Sequence, residues 1–166
     1  MLSKKVQTAL NEQIHQELAS AYLYLSMSAW FEAKNLPGQA KWMAKQAREE
    51  TGHAMRLFGY VCDCDGRVVL QALAKPPAEF KSVSDVWQRT LEHEEKVTAG
   101  VHALARLAAA EGDLPTQAML QWFITEQIEE EKTARQILEQ AKLLRDSGPA
   151  IFFLDRHLGK EAAATA

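Results

Sequence analysis

The chain has 166 residues, enough for one domain with a sizeable core. Hydrophobic residues make up 47% and charged residues 25%, the balance of an ordinary globular protein. A net charge of −3 with no basic run argues against phosphate-directed nucleic-acid binding, and no apolar run approaches the roughly 20 residues that span a bilayer.

The N-terminus, Met1-Leu2-Ser3-Lys4-Lys5, passes straight into an amphipathic pattern. It lacks the apolar stretch and cleavage site of a secretory signal, so the expected compartment is the cytoplasm. Apolar residues at helical spacing predict helices over 4–33, 38–65, 83–111 and 115–145, each about 40–45 Å long at 1.5 Å per residue. Asn35-Leu36-Pro37-Gly38 separates the first pair and Gly112-Asp113-Leu114-Pro115 the second. Proline suits a first helical turn and disrupts an interior one. These short breaks make two antiparallel hairpins. The connection from Gly66 to Ser82, with Pro76-Pro77, is long enough to cross the length of a bundle.

A fifth, short helix is expected over about 149–158, after Ser147-Gly148-Pro149, with a flexible tail over 159–166. Ile151, Phe152, Phe153 and Leu154 read either as a terminal cap on the bundle or as a subunit contact. Cys62 and Cys64 are too few for a disulfide framework, and about 200° apart on a helix they do not readily chelate one ion. A faint repeat relates the hairpins: a shift of 77 residues places Glu17 on Glu94, Glu50 on Gln127 and His53 on Glu130.

The apolar stripe of each helix is interrupted near its middle. The first reads Leu10, Ile14, Glu17, Ala21, Tyr24, Ser28, Phe31. The second reads Met43, Ala47, Glu50, His53/Ala54, Leu57, Val61. The third reads Val83, Val86/Trp87, Thr90, Glu94, Val97, Val101, Leu104. The fourth reads Leu120, Ile124, Gln127, Glu130, Ala134, Leu138, Ala141. Antiparallel helices of similar length bring their midpoints to one level, so Glu17, Glu50, His53, Glu94, Gln127 and Glu130 should share a layer. Unpaired buried charges cost several kcal/mol each. No lysine or arginine lies on these stripes near that level, and cations between the carboxylates are the simplest compensation. Carboxylates with one imidazole suit iron, manganese or zinc. Glu50-x-x-His53 puts both groups on one helical face for one metal, and Glu50 can bridge to a second held by Glu94 and Glu130.

These residues resemble the ferritin family, specifically the haem-free bacterial ferritins, over essentially the whole chain from Leu10 to Leu158. The carriers are Asn11-Glu12-Gln13 with Glu17 and Tyr24, Glu49-Glu50-x-x-His53-x-x-x-Leu57-Phe58, His93-Glu94, and Gln121-Trp122-Phe123-x-x-Glu126-Gln127-x-Glu129-Glu130-Glu131. The resemblance implies an all-α ferritin-like antiparallel four-helix bundle with one long crossover and a short C-terminal fifth helix, in a single domain.

It also implies a ferroxidase centre. Glu17, Glu50 and His53 would hold one iron, and Glu50, Glu94 and Glu130 a second. Gln127 would hydrogen-bond near the site, and Tyr24 would stand beside it as an electron donor or as an ordinary core aromatic. A third iron would lie towards the cavity on Glu49, Glu126 and Glu129, shared with Glu130, although Glu126 and Glu129 also read as a solvated acidic face. Bacterioferritins differ: they carry a second Glu-x-x-His where this chain has Gln127-x-x-Glu130, and a haem-binding methionine where it has Thr51 followed by Gly52. No haem is therefore expected.

The implied function is storage. Fe(II) would be oxidised by dioxygen or hydrogen peroxide and kept as ferric mineral in a homo-oligomeric cage of 24 subunits, without nucleic-acid or membrane partners. Phe152 and Phe153 would pack at fourfold contacts, and Glu111 and Asp113 would line an iron pore. Two other readings use the same residues: a small-oligomer di-iron oxidase or peroxidase, and a metal-binding cage subunit with little catalysis. His15, His93, His102 and His157 have no comparable constellation, and Trp122 reads as packing.

Overall fold

A computed structural model of the protein describes residues 2–144 and 148–164. They form five helices: α1 (Lys4–Ala33), α2 (Pro37–Asp63), α3 (Val83–Ala110), α4 (Leu114–Leu143) and α5 (Gly148–Ala164). α1 packs on α2 and α3 on α4, with α1 also against α3 and α5 against the α2 side. No helix among the described residues is long and apolar enough to cross a membrane.

Side chains start these helices in the expected way. Ser3, Ser82 and Asp113 accept hydrogen bonds from the backbone N–H groups of Val6, Asp85 and Thr116, satisfying donors the helix leaves open. α2 begins differently. Its N-cap is Leu36, which has no capping side chain, with Pro37 in the first turn. The missing acceptor comes from α5, where the buried Asp155 Oδ1 accepts from Gln39 N at 2.8 Å.

Three helices end alike. Asn35, Asp65 and Gly112 have φ of 56°, 55° and 67°. One residue later, the N–H of Leu36, Gly66 and Asp113 reaches back to Phe31 O, Val61 O and Ala108 O at 3.0, 2.8 and 2.9 Å. This six-to-one bond around a left-handed residue closes a helix, and asparagine tolerates that conformation better than most side chains.

The long connection is laid along α1. Asn11 Oδ1 accepts from Val69 N at 2.6 Å, Asn11 Nδ2 donates to Arg67 O at 3.0 Å, and Ser26 Oγ donates to Pro77 O at 2.7 Å. From Asn11 to Ser26 the helix rises about 22 Å, within reach of about 26 Å for extended chain from Val69 to Pro77. The Asn11 motif thus straps the crossover.

The apolar core is divided in two. One cluster holds Tyr24, Phe31, Met43, Trp87 and Leu138, extended by Ile151, Leu154 and Leu158 of α5. The other holds Leu10, Ile14, Leu57, Val101, Leu120 and Phe123. Between them lie the buried polar residues Glu17, Glu50, His53, Glu94 and Gln127.

Two expectations change in detail. On α4 the fully buried side chain at that level is Phe123, whereas Ile124 and Glu130 are only partly buried, so the stripe is rotated slightly from its predicted line. The fifth helix does not stop at 158 but continues to Ala164, burying Ala162, where a flexible tail was expected. Ser147 and residues 165–166 of those predictions lie outside the described residues. The aromatic pair is split from its neighbours: Ile151 and Leu154 are buried, while Phe152 and Phe153 are 55% and 76% exposed. α5 is therefore both a cap on the core and a presenter of two aromatic rings.

Candidate metal centre

The helix period brings Glu50 and His53 onto one face of α2, opposite Glu17 on α1. One ligand atom from each of the three lies within 4.8 Å of the others. His53 Nδ1 is 3.6 Å from Glu50 Oε2 and 4.0 Å from Glu17 Oε2. Glu17 and Glu50 are each 1% exposed. Gln13 Nε2 donates to Glu17 Oε1 at 2.8 Å, but Glu17 Oε2 and both oxygens of Glu50 are buried without a hydrogen-bond partner.

α3 and α4 add the other half. Glu94 accepts from the Tyr24 hydroxyl on one oxygen and from Gln127 Nε2 at 3.2 Å on the other. The Gln127 amide also reaches Thr98 Oγ1 at 3.2 Å. Glu130 Oε2 accepts from Gln46 Nε2 at 3.0 Å. Glu94 and Glu130 are thus each held by neutral donors and stand outside the tight group formed by Glu17, Glu50 and His53.

The electrostatics follow from burial. Loss of solvent holds the Glu17 and Glu50 carboxyls well above the usual range, and neighbouring carboxylates push further: Glu50 on Glu17, and Glu94 and Glu130 on Glu50. Burial raises Glu94 as well, against the lowering effect of its bonds from Tyr24 and Gln127. Glu130 is pushed up to about 8 by burial and then by Glu94, Glu49 and Glu126. Burial likewise raises the Tyr24 phenol, with Glu94 adding to it, so Tyr24 stays a neutral donor.

Glu49, Glu126 and Glu129 line, with Glu130, a cleft of about 490 Å³ between α2 and α4, roofed by His157, Leu158 and Glu161 of α5. Lys45 Nζ is 3.3 Å from Glu49 Oε1. His157 pairs with Glu161 at 3.2 Å. Glu111 is paired with Lys5 at 3.0 Å near the α3–α4 turn, where Asp113 serves as a helix cap.

Several residues around the centre had no assigned role in the sequence reading. Gln13 and Gln46 stand four residues before Glu17 and Glu50; Gln13 donates to Glu17 across that spacing, whereas Gln46 reaches over to Glu130 on α4. His93 packs edge-on to Tyr24, with ring centroids 6.0 Å apart, and its Nε2 lies 2.7 Å from Ser20 Oγ. Burial lowers His93 to about 4, which keeps it neutral.

Comparison with known proteins is consistent with this geometry. Residues 7–144 match the family model of the ferritin-like domain. The chain is 42% identical to a bacterial non-heme ferritin of Bacteroides fragilis over 96% of this chain and 99% of that protein. It is 38% identical to one of Campylobacter jejuni, over 95% of each chain. Among solved structures, an open pore ferritin from Archaeoglobus fulgidus superposes with a TM-score of 0.94 at 42% identity, over 96% of this chain and 98% of the other. A polar layer that divides a helical core, matched nearly end to end by proteins of one kind, leads to one assignment: the chain belongs to the ferritin family and is an iron-storage ferritin subunit.

Proposed function

We propose that the mid-bundle layer is a di-iron ferroxidase centre, with Glu17, Glu50 and His53 as ligands of one Fe(II) and Glu50, Glu94 and Glu130 as ligands of the other. The observation that carries this reading is the set of three buried carboxylate oxygens, on Glu17 and Glu50, that have no hydrogen-bond partner beside His53 Nδ1. A cation satisfies all three at once, and carboxylates favour Fe(III) over Fe(II).

Each Fe(II) gives up one electron. Dioxygen takes both electrons with two protons and leaves as hydrogen peroxide; alternatively, hydrogen peroxide takes both with two protons and leaves as two waters. Gln127 and Tyr24 orient Glu94 by donating to its two oxygens, and Gln46 orients Glu130. Tyr24, fixed against Glu94, is the residue best placed to supply a further electron. Glu49, Glu126, Glu129 and Glu130 take a third iron in the cleft between α2 and α4, from which ferric product moves on to mineral.

The chain acts as one domain in a cytoplasmic homo-oligomeric cage of 24 subunits, with Phe152 and Phe153 turned towards neighbouring copies. Thr51 and Gly52 give haem iron no ligand, so the cage is haem-free. A crystal soaked anaerobically in Fe(II), or in Zn(II) as a redox-inert substitute, tests the assignment by anomalous scattering. Two peaks per subunit within ligand distance of Glu17, Glu50, His53, Glu94 and Glu130 are expected, with a third in the cleft lined by Glu49, Glu126 and Glu129. A single peak, or peaks only on the surface, would refute the centre.

A further inference from the structure

We propose that Trp122 and Arg56 form a positioning device for His53; this rests on His53 being a metal ligand. A ligating histidine is ordinarily oriented by donating its other ring N–H to a carboxylate or carbonyl. Among the described residues no such hydrogen bond holds His53. Its ring is held by other rings instead. Trp122 meets it edge to face, with centroids 5.3 Å apart and planes at 77°, and Phe123 does the same at 6.0 Å and 78°. Trp122 and Phe123 stand at 89° to each other, 4.9 Å apart, so the two form the corner of a slot.

Arg56 adds a further contact to Trp122. Its guanidinium carbon lies 4.2 Å from the Trp122 ring centroid, within cation–π range. Arg56 is three residues after His53 on α2, on the same helical face. α2 therefore reaches across to α4 with two side chains: Arg56 lies over the Trp122 ring, and His53 meets that ring edge to face. The slot holds the imidazole in one rotamer with Nδ1 towards Glu17 and Glu50, so metal binding need not order the ring.

The device predicts an effect on metal affinity that passes through His53 alone. The probe is Co(II), titrated anaerobically into the assembled protein and followed by calorimetry and d–d absorption. Trp122→Leu is expected to weaken the His53-dependent Co(II) site about tenfold. Trp122→Phe should stay within about twofold of the parent, because an aromatic face remains. Arg56→Gln, a surface change that leaves the fold intact, should weaken the site about threefold. Combined with His53→Ala, Trp122→Leu should have no further effect. Parent-like affinity in both Trp122→Leu and Arg56→Gln would overturn the proposal, as would an equal loss with and without His53. Should Trp122→Leu not fold, Arg56→Gln decides alone. If His53→Ala itself leaves Co(II) binding untouched, the metal centre is what fails, a result distinct from failure of the slot.

Discussion

Glu50 lies where burial and the carboxylates Glu94, Glu130 and Glu49 all act to keep it protonated. The ligand role proposed for Glu50 would therefore set function against stability at this residue. Glu50→Gln keeps the shape and removes the cost of taking up a proton or burying a charge on folding, so the metal-stripped protein should gain about 1–3 kcal/mol at pH 7.5 while losing rapid Fe(II) oxidation. Urea melts beside oxidation assays check both halves. The pH dependence has a definite sign. In the unfolded chain glutamates ionise near pH ~4.3. In the folded chain Glu17, Glu50 and Glu94 hold their protons above that, and Glu130 up to about 8. Raised carboxyls contribute fully below the unfolded value and lose that contribution as pH rises. Metal-stripped protein should thus show a falling urea midpoint from about pH 5 to 8, at up to about 1.4 kcal/mol per pH unit for each group still protonated. Saturating Zn(II) should reverse the trend, because deprotonated ligands bind metal better.

The decisive contact between elements is the crossing of α2 and α5. A Cβ on Gly38 would lie 1.8 Å from Asp155 O, and one on Gly159 would lie 3.0 Å from Gly38 Cα. Backbone meets backbone there, with no flexible side chain to give way. Gly38→Ala should therefore release α5, costing about 1–3 kcal/mol by overpacking and also depriving α2 of its Asp155 cap. Hydrogen exchange should show Ile151–Leu158 losing protection while the mid-bundle residues of α1 and α3 keep theirs; unchanged protection in α5 would contradict the interlock. This contact also marks the limit of what sequence reading could reach. The four long helices were legible because their apolar residues keep a helical period for nearly thirty residues. The polar layer was legible because carboxylates fall on that period. The end of α5 was not, since after Leu158 its burial rests on Ala162 and on the close approach of Gly159 to Gly38 of α2, which no local pattern signals. Likewise, Trp122 looked like packing because its contacts with His53 and Arg56 arise from side-chain directions across two helices. Phe123 replaced Ile124 for a similar reason: between Leu120 and Gln127 either residue fits steps of three and four, and only the packing of α4 chooses between them.

At the scale of the molecule, the layer splits the core into two apolar clusters, one joined by α5 and the other strapped by the crossover. Metal bound at the proposed layer would tie all four long helices together, and ligand linkage would then add about 2.7 kcal/mol at a hundredfold excess over Kd. Beyond the single chain, Phe152 and Phe153 stand out from α5, and Phe153 lines a shallow hollow with the exposed Leu143. Phe153→Glu should leave the monomer fold intact by circular dichroism and shift particles to smaller oligomers in light scattering; full-size particles would remove this face from the assembly. The most direct test of the centre itself is an anaerobic Fe(II) titration followed by rapid mixing with oxygen. Two fast-oxidising irons per chain are expected, with that phase lost in Glu50→Ala. Fewer than two, or a fast phase that survives Glu50→Ala, would contradict a ferroxidase centre at the mid-bundle layer.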